Sequence, residues 1–376
     1  MNDTLTTGPE SATRESIRPR QEGRIVALNI VEVRTSNFVQ ELERRGFQVN
    51  RFDVKNWRAA FARLVPFIAT ILRSDAVLSG AVVPFQIPCI LAAKLLRRPV
   101  VIDFPMDLTV WPFLTLPHWR WLVALNLRLA DGVLTIRSRE YVIAKFGLSK
   151  QRVRFVENCP DLALVPAVAG GRPRFQPSPG SFVICWSGGH AHHRLERFMP
   201  TFEALIELVP NVELLLIADP ALPSVVESKR YAESAGFGDR VHALPIILPT
   251  QDFYATIAHC HAWVASLGDD TLQGRQELRM EFLEAGLLDT AVIAAPTPAF
   301  LQHGFTDGRE IIYIDPSDPR ASALKIAEFA RRPEQLKQLG ERLREHVLRN
   351  FSFDKGVDDM LQMLLPGRAA GVSKHS

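Results

Sequence analysis

From Arg24 onward, short runs of β-branched and other apolar residues alternate with longer amphipathic stretches, and the alternation runs through two successive halves of the chain. Apolar runs without a polar face belong to strands covered on both sides, and amphipathic stretches between them supply the crossover helices of a parallel sheet. In the first half, strands are expected at GRIVALNIV, FQVNRFDV, DAVLSG, RPVVIDF, DGVLTI and RVRFVEN, with helices at FVQELERRGF, IPCILAAKLL and HWRWLVALNLRLA. The pattern stops after Asn158. It resumes with strand SFVICWSG, helix LERFMPTFEALIELV and strand VELLLIAD, and then a helix around YAES, strand RVHALP, helix TQDFYATIAHC and strands AWVASL, TAVIAA and EIIYID. Helices PRASALKIAEFARR and PEQLKQLGERLREHVLRNF and the segment FSFDKGVDDMLQMLL close it. At 376 residues the chain exceeds what one core usually covers. The expected class is therefore α/β, two tandem doubly wound domains with ligands bound in the cleft between their strand ends.

The boundaries follow from composition. Residues 1–22 are polar and are expected to form a disordered tail rather than a signal peptide, and 367–376 a second tail. The first domain is assigned to 23–165 and a Pro- and Gly-rich linker, PAVAGGRPRFQPSPG, to 166–180. The second domain is assigned to 181–350, and a helix at 351–366 is a candidate to return to the first. Cys89, Cys159, Cys185 and Cys260 have no paired spacing, which argues against a zinc site or disulfide framework and fits a cytoplasmic chain. The net charge of +3 conceals an asymmetry, since residues 1–165 carry 23 Lys and Arg against 15 Asp and Glu. A basic half can face an anionic surface, although a solvated surface is the commoner explanation of so modest an excess.

The second half, Phe182 to Phe353, resembles the nucleotide-binding domain of glycosyltransferase family 4. The likeness rests on CHAWVASLGDD, similar to the family's strand ending in an alanine-aspartate and proline-serine signature, with Ala265 and Ser266 at its end. It rests also on EAGLLDTAVIAAPTPAFLQHGFTDGREIIYIDPSDPRASALKIAEFARR, which follows the family's closing sequence. In the first half, LADGVLTIRSREYVIAKFGLSKQRVRFVENCPDLALVP resembles the passage into the family's linker, with Cys159 after Asn158 where the family has glycine. The resemblance implies the GT-B fold, two Rossmann-like domains around an interdomain cleft, and sugar transfer from a nucleotide diphosphate sugar to an acceptor hydroxyl with retention. It implies no cofactor and no metal. Glu284 matches the second glutamate of the family's paired-glutamate motif, whereas the first falls on Gln276.

Transfer from such a donor requires neutralising the leaving diphosphate with cations and oriented amides. The loop WSGGHAHHRLERF offers Gly188 and Gly189 for close backbone approach, His190 as a donor to phosphate or sugar, and Arg194 as the cation. His190, His192 and His193 also admit a metal-cluster reading, with no second cluster to complete it. Glu284 would accept hydrogen bonds from a ribose diol, or it forms a helix ion pair with Arg279. Gln276 can hydrogen-bond sugar hydroxyls without supplying negative charge, for which Glu277 or Glu281 would substitute. Gly268, Asp269, Asp270, Arg275 and Glu277 lie in a loop expected to face the donor sugar. In the first domain, Asp103 and Asp107 end a strand where a carboxylate would bind the attacking hydroxyl, unless Asp107 only caps the next segment.

Trp111, Phe113, Trp119 and Trp121 beside Arg120 and Arg128 suggest peripheral membrane contact through residues 111–128, or else a buried aromatic cluster. The expected partners are a nucleotide sugar and a saccharide or lipid-linked acceptor, in polysaccharide or glycolipid synthesis at the inner face of the cell membrane, with no nucleic acid. Two rivals stand beside this reading: an epimerase or hydrolase on the same fold, and a non-catalytic GT-B subunit that binds a nucleotide sugar or a partner transferase.

Overall fold

The computed structural model describes residues 23–29, 33–80, 84–104, 116–136, 139–160, 168, 170–188, 195–245, 250–265, 267–268, 278, 280–351 and 353–365. The described residues form two parallel six-stranded sheets. The first holds β1 (Arg24–Leu28), β2 (Gln48–Phe52), β3 (Ala76–Ser79), β4 (Val100–Phe104), β5 (Gly132–Thr135) and β6 (Val153–Phe155), in the order β2-β1-β3-β4-β5-β6. The second holds β7 (Phe182–Ser187), β8 (Val212–Ile217), β9 (Val241–Leu244), β10 (Ala262–Val264), β11 (Ala291–Ala294) and β12 (Ile312–Tyr313), in the order β12-β11-β10-β7-β8-β9. The chain winds outward from β1 to β2 and then restarts on the other side at β3; it winds from β7 through β8 to β9 and restarts at β10. Each sheet therefore has a topological switch point, between β1 and β3 and between β7 and β10, where adjacent loops diverge and leave a crevice.

Apolar residues cover both faces of the first sheet. Val26, Leu28, Val77, Ile102 and Val133 pack under helices Trp57–Ala62, Leu64–Leu72, Ile87–Leu95, Pro117–Leu129 and Arg139–Phe146. Ile25, Ala27, Leu78, Val101 and Leu134 face helix Val33–Arg44 and the last helix, Phe353–Leu364, whose Val357, Met360, Leu361 and Leu364 are buried among them. The chain thus leaves the first domain, builds the second and ends back on the first sheet. Arg45 and Asp358 pair at 2.5 Å across that return. Two glycines permit it: a Cβ on Gly356 would lie 2.6 Å from Val156 Cγ1, and one on Gly132 2.5 Å from Met363 Sδ.

Two segments differ from the sequence expectation. The stretch LERFMPTFEALIELV divides into a 3-10 turn, Leu195–Arg197, and a helix, Met199–Leu208. Pro200 explains the break, since a residue without an N–H suits only the first turn of a helix. The segment after β2, for which no element was expected, forms helices Trp57–Ala62 and Leu64–Leu72, the first capped by Asn56 Oδ1 accepting from the Ala59 N–H at 2.9 Å.

The Pro- and Gly-rich stretch read as a linker is held against the second sheet by two buried carboxylates. Asp252 accepts from the Arg172 N–H at 2.9 Å and from Arg174 Nε at 2.7 Å, and Glu213 accepts from the Ser178 N–H at 3.1 Å. The Arg172 amide, and then Arg174, hold the Asp252 carboxyl below the usual carboxylate range. A depressed folded-state pKa contributes stability above the unfolded value of about 3.9 and loses it as pH falls through the folded value. Asp252→Asn should accordingly lower the Tm at pH 7, with the gap from wild type closing below about pH 4. Calorimetry of both proteins across that window checks it, and a gap that persists in acid would show that the loss is packing and not charge.

Candidate functional site

In the first domain, the switch point is knotted together by one side chain. Thr35, in the opening turn of helix Val33–Arg44, donates from Oγ1 to Asp103 Oδ2 at 2.9 Å and lies 3.5 Å from the carbonyl oxygen of Gly80, just past β3. The helix that follows β1, the end of β3 and the end of β4 therefore converge there. Asp103 is wholly buried. Fixing these three ends is a role that Asp103 performs in any event, because a buried polar group is kept only where it is hydrogen-bonded. Asn29, held at φ +52°, strengthens the same edge: its N–H donates to Phe52 O at 2.9 Å and its Oδ1 accepts from the Val54 N–H. Asn37, two residues after Thr35, is buried, and its Nδ2 has no partner among the described residues. Asp107 lies outside the described residues.

The second switch point gathers residues from three strand ends. Ser187 closes β7, Leu267 and Gly268 follow β10, and Ala295 and Thr297 follow β11, on three adjacent strands. Gly268 has φ +69°, and a Cβ there would meet Ala295 Cβ at 3.5 Å and Arg197 Nη1 at 4.0 Å. Arg197, from the 3-10 turn after the glycine loop, donates from Nη1 to the Leu267 carbonyl oxygen at 3.3 Å. This guanidinium is thus placed beside the β10 end, a position that sequence reading did not single out, having assigned the cation to Arg194. Ser187 Oγ and Thr297 Oγ1 are buried hydroxyls with no hydrogen-bond partner among the described residues, and by their place at the strand ends they could bond to a ligand there. Gly188 is described, at the end of β7, whereas Gly189, His190 and Arg194 lie outside the described residues, as do Asp269, Asp270, Arg275, Gln276 and Glu277.

Glu284 is 6% exposed in helix Met280–Leu287. On a helix of 3.6 residues per turn it shares a stripe with Met280 and Glu281, both half-buried, while Phe282 and Gly286 fall on the opposite face. That opposite face is locked. Phe282 meets Phe300 and Phe305 edge-on at centroid distances of 4.7 and 4.8 Å, and a Cβ on Gly286 would lie 2.9 Å from Val347 Cγ2 and 3.1 Å from Leu343 Cγ. Helix Pro333–Asn350 crosses there so closely that a Cβ on Gly340 would approach the Asp289 carbonyl oxygen to 2.0 Å. The Glu284 stripe is consequently turned away from that crossing. A link to the first domain stands directly before this helix, where Asn158 Nδ2 donates to the Leu278 carbonyl oxygen at 2.9 Å in a buried bond spanning 120 residues of sequence. His303 and Glu157 approach to 3.5 Å nearby. Asn158, after which the first alternating pattern stops, therefore couples the two domains just ahead of the helix that bears Glu284.

Gly340→Ala gains helix propensity of about 1 kcal/mol but forces backbone against backbone, so a net destabilisation of about 1–2 kcal/mol is expected. Urea unfolding checks this: a lowered midpoint with unchanged slope is the expected result, and an unchanged or raised midpoint would mean that the helices separate freely.

No family model matches the chain, and no curated protein matches it in sequence. Solved structures do match it. Anabaena HepE, determined in complex with UDP-glucose, superposes with a TM-score of 0.64 at 16% identity, covering 91% of this chain and 100% of that one. A glycosyltransferase from Rickettsia africae gives 0.63 at 12%, covering 94% and 100%. Sucrose-phosphate synthase from Thermosynechococcus elongatus gives 0.61 at 16%, covering 91% and 98%. At such identities the likeness concerns the fold: two doubly wound parallel domains, linked at Asn158 and by the returning last helix, constitute a GT-B fold.

Proposed function

We propose that the protein is a glycosyltransferase that moves a sugar from a nucleotide diphosphate sugar to an acceptor hydroxyl with retention at the anomeric carbon, as a relative of glycosyltransferase family 4. The observation that carries this reading is the second switch point. Two buried hydroxyls with no hydrogen-bond partner among the described residues, Ser187 and Thr297, two glycines, Gly188 and Gly268, and the Arg197 guanidinium stand around the ends of three adjacent strands, and Glu284 is buried in the helix that leads into one of them, β11. That set suits a nucleoside diphosphate. Glu284 would accept hydrogen bonds from the ribose diol, Gly188 and Gly189 would admit the diphosphate to backbone amides, and Arg194 with Arg197 would neutralise it as it leaves. His190 would donate to phosphate or sugar. The sugar would lie against the loop bearing Gly268, Asp269, Arg275, Gln276 and Glu277, and the acceptor against the first domain at the edge held by Asp103, with Asp107 beside it. The bond from the anomeric carbon to the diphosphate oxygen breaks with its electron pair going to the diphosphate. The acceptor oxygen takes its place and releases its proton to a base. Hydrogen bonds and cations suffice for these steps, so no metal or other cofactor is invoked. HepE in complex with UDP-glucose supports a nucleotide-sugar donor.

A saccharide or lipid-linked saccharide is the proposed acceptor, in polysaccharide or glycolipid synthesis at the inner face of the cell membrane. No helix among the described residues is long and apolar enough to cross a membrane, so contact there would be peripheral. The second reading, a non-catalytic subunit, is favoured by Gln276 where the resemblance implies a glutamate.

Thermal shift separates the two. At a concentration about 100 times Kd, a bound nucleotide stabilises the protein by about 2.7 kcal/mol, a shift of several degrees. UDP, GDP or ADP should raise the Tm of wild type and fail to raise that of Glu284→Ala or Arg194→Ala. If one does, proton spectra of the anomeric centre formed from the matching sugar nucleotide test transfer and retention. No stabilisation by any nucleotide removes the donor-site reading, and binding without turnover leaves the non-catalytic one.

A further inference from the structure

The outer face of the helical layer on the first sheet is apolar in a way the core does not require. Helices Trp57–Ala62 and Leu64–Leu72 follow one another and carry an exposed apolar stripe, Trp57 stacked on Phe61 at 6.4 Å on the first and Val65 and Leu72 two turns apart on the second, with Val65 at 76%. The same helices bury Ala60, Phe67 and Ile71 against the sheet, so the stripe is a second apolar face on elements that already have one. Next to them, helix Ile87–Leu95 exposes Leu91 and Leu95, the latter at 83%, one turn apart. Helix Pro117–Leu129, packed on the far side, exposes Trp121 at 60%. Such side chains scattered singly would need no explanation, but here they gather on neighbouring helices of one layer.

The charge of this face is one-sided. From Asp53 to Ile102 the chain carries seven Lys and Arg against two carboxylates, Asp53 and Asp75, with Lys94 paired to Asp131 at 2.5 Å. Asp75 is occupied with the Arg24 N–H at 2.9 Å, at the start of β1. Lys55, Arg58, Arg63, Arg73 and Arg97 are exposed around the stripe. Farther along, Arg120 and Lys145 flank a shallow cavity of about 180 Å³ floored by Trp121, Ala124 and Phe146, which pairs two cations with aromatic surface. A second copy of the chain on this face would set like charges against each other. An anionic bilayer would instead take the apolar side chains into its interface and the cations onto its headgroups, each cation near the surface contributing about 1 kcal/mol, or about fivefold in affinity.

We propose that this face, centred on Trp57, Phe61, Val65 and Leu95 and ringed by Arg58 and Arg97, docks the protein onto an anionic phospholipid surface. It extends the membrane contact beyond residues 111–128 and rests on geometry separate from the donor site. Co-sedimentation of the full chain with phosphatidylglycerol/phosphatidylcholine vesicles tests it, with pure phosphatidylcholine vesicles as the neutral arm. Binding to the anionic vesicles, at least tenfold weaker binding to the neutral ones and loss in added salt are expected. Phe61→Ser with Leu95→Gln removes only exposed apolar surface, and Arg58→Gln with Arg97→Gln removes only charge. Each pair should weaken vesicle binding by an order of magnitude or more while leaving the Tm and any nucleotide-induced shift as in wild type, so failure here is distinct from failure of the donor reading. Absent binding, equal binding to neutral vesicles, or unaltered binding by both variants would overturn the proposal. So would sedimentation equilibrium showing a dimer that the Phe61 and Leu95 pair dissociates in protein that ignores vesicles.

Discussion

Parallel pairing governs this molecule. A parallel strand can follow its neighbour only after the chain has crossed back over the sheet, so every strand-to-helix loop leaves from one edge and every helix-to-strand loop from the other. All the pairings in both sheets are parallel. The residues gathered at the switch points, Thr35, Gly80 and Asp103 in one domain and Ser187, Gly188, Gly268 and Thr297 in the other, are therefore drawn to two edges although they lie far apart in sequence. Where the winding reverses, diverging loops leave room, and the buried hydroxyls of Ser187 and Thr297 stand there with no hydrogen-bond partner among the described residues.

Holding those edges in place takes packing without slack. Glu284 sits on a helix of 8 residues, too short to be stable alone. Its geometry is inherited from Gly286 and Gly340, which let helix Pro333–Asn350 approach to backbone contact, and from Phe282, Phe300 and Phe305 behind it. The Asn158 bond to the Leu278 carbonyl and the return of helix Phe353–Leu364 to the first sheet tie the two domains at separate places. Crossings of this kind suit domains that move about a few fixed points, which is the behaviour required if a closing cleft is to exclude water from a reactive sugar.

The outer helical face obeys a different rule. Burial decides the inner face of each helix, where Phe67 and Ile71 had no alternative, but it leaves the outer face to solvent or to a partner. Basic and apolar residues together on that face are what an anionic interface selects and what a folded core neither needs nor explains.

The sequence alone determined the elements and their class. Apolar runs such as VVIDF and FVICWS state directly that both faces are covered, because the pattern of burial is written in the residue types themselves. It also located Glu284, Asp103 and the glycine loop as places of interest. It did not place helices Trp57–Ala62 and Leu64–Leu72, because their apolar residues lie on two faces and blur the period on which such reading depends. Nor did it reveal the Thr35–Asp103 bond, Arg197 at Leu267 or Asn158 at Leu278, which join residues separated by 68, 70 and 120 positions. Those contacts were decided by the tertiary structure, because nothing local to either partner specifies the other until the sheets have assembled around them.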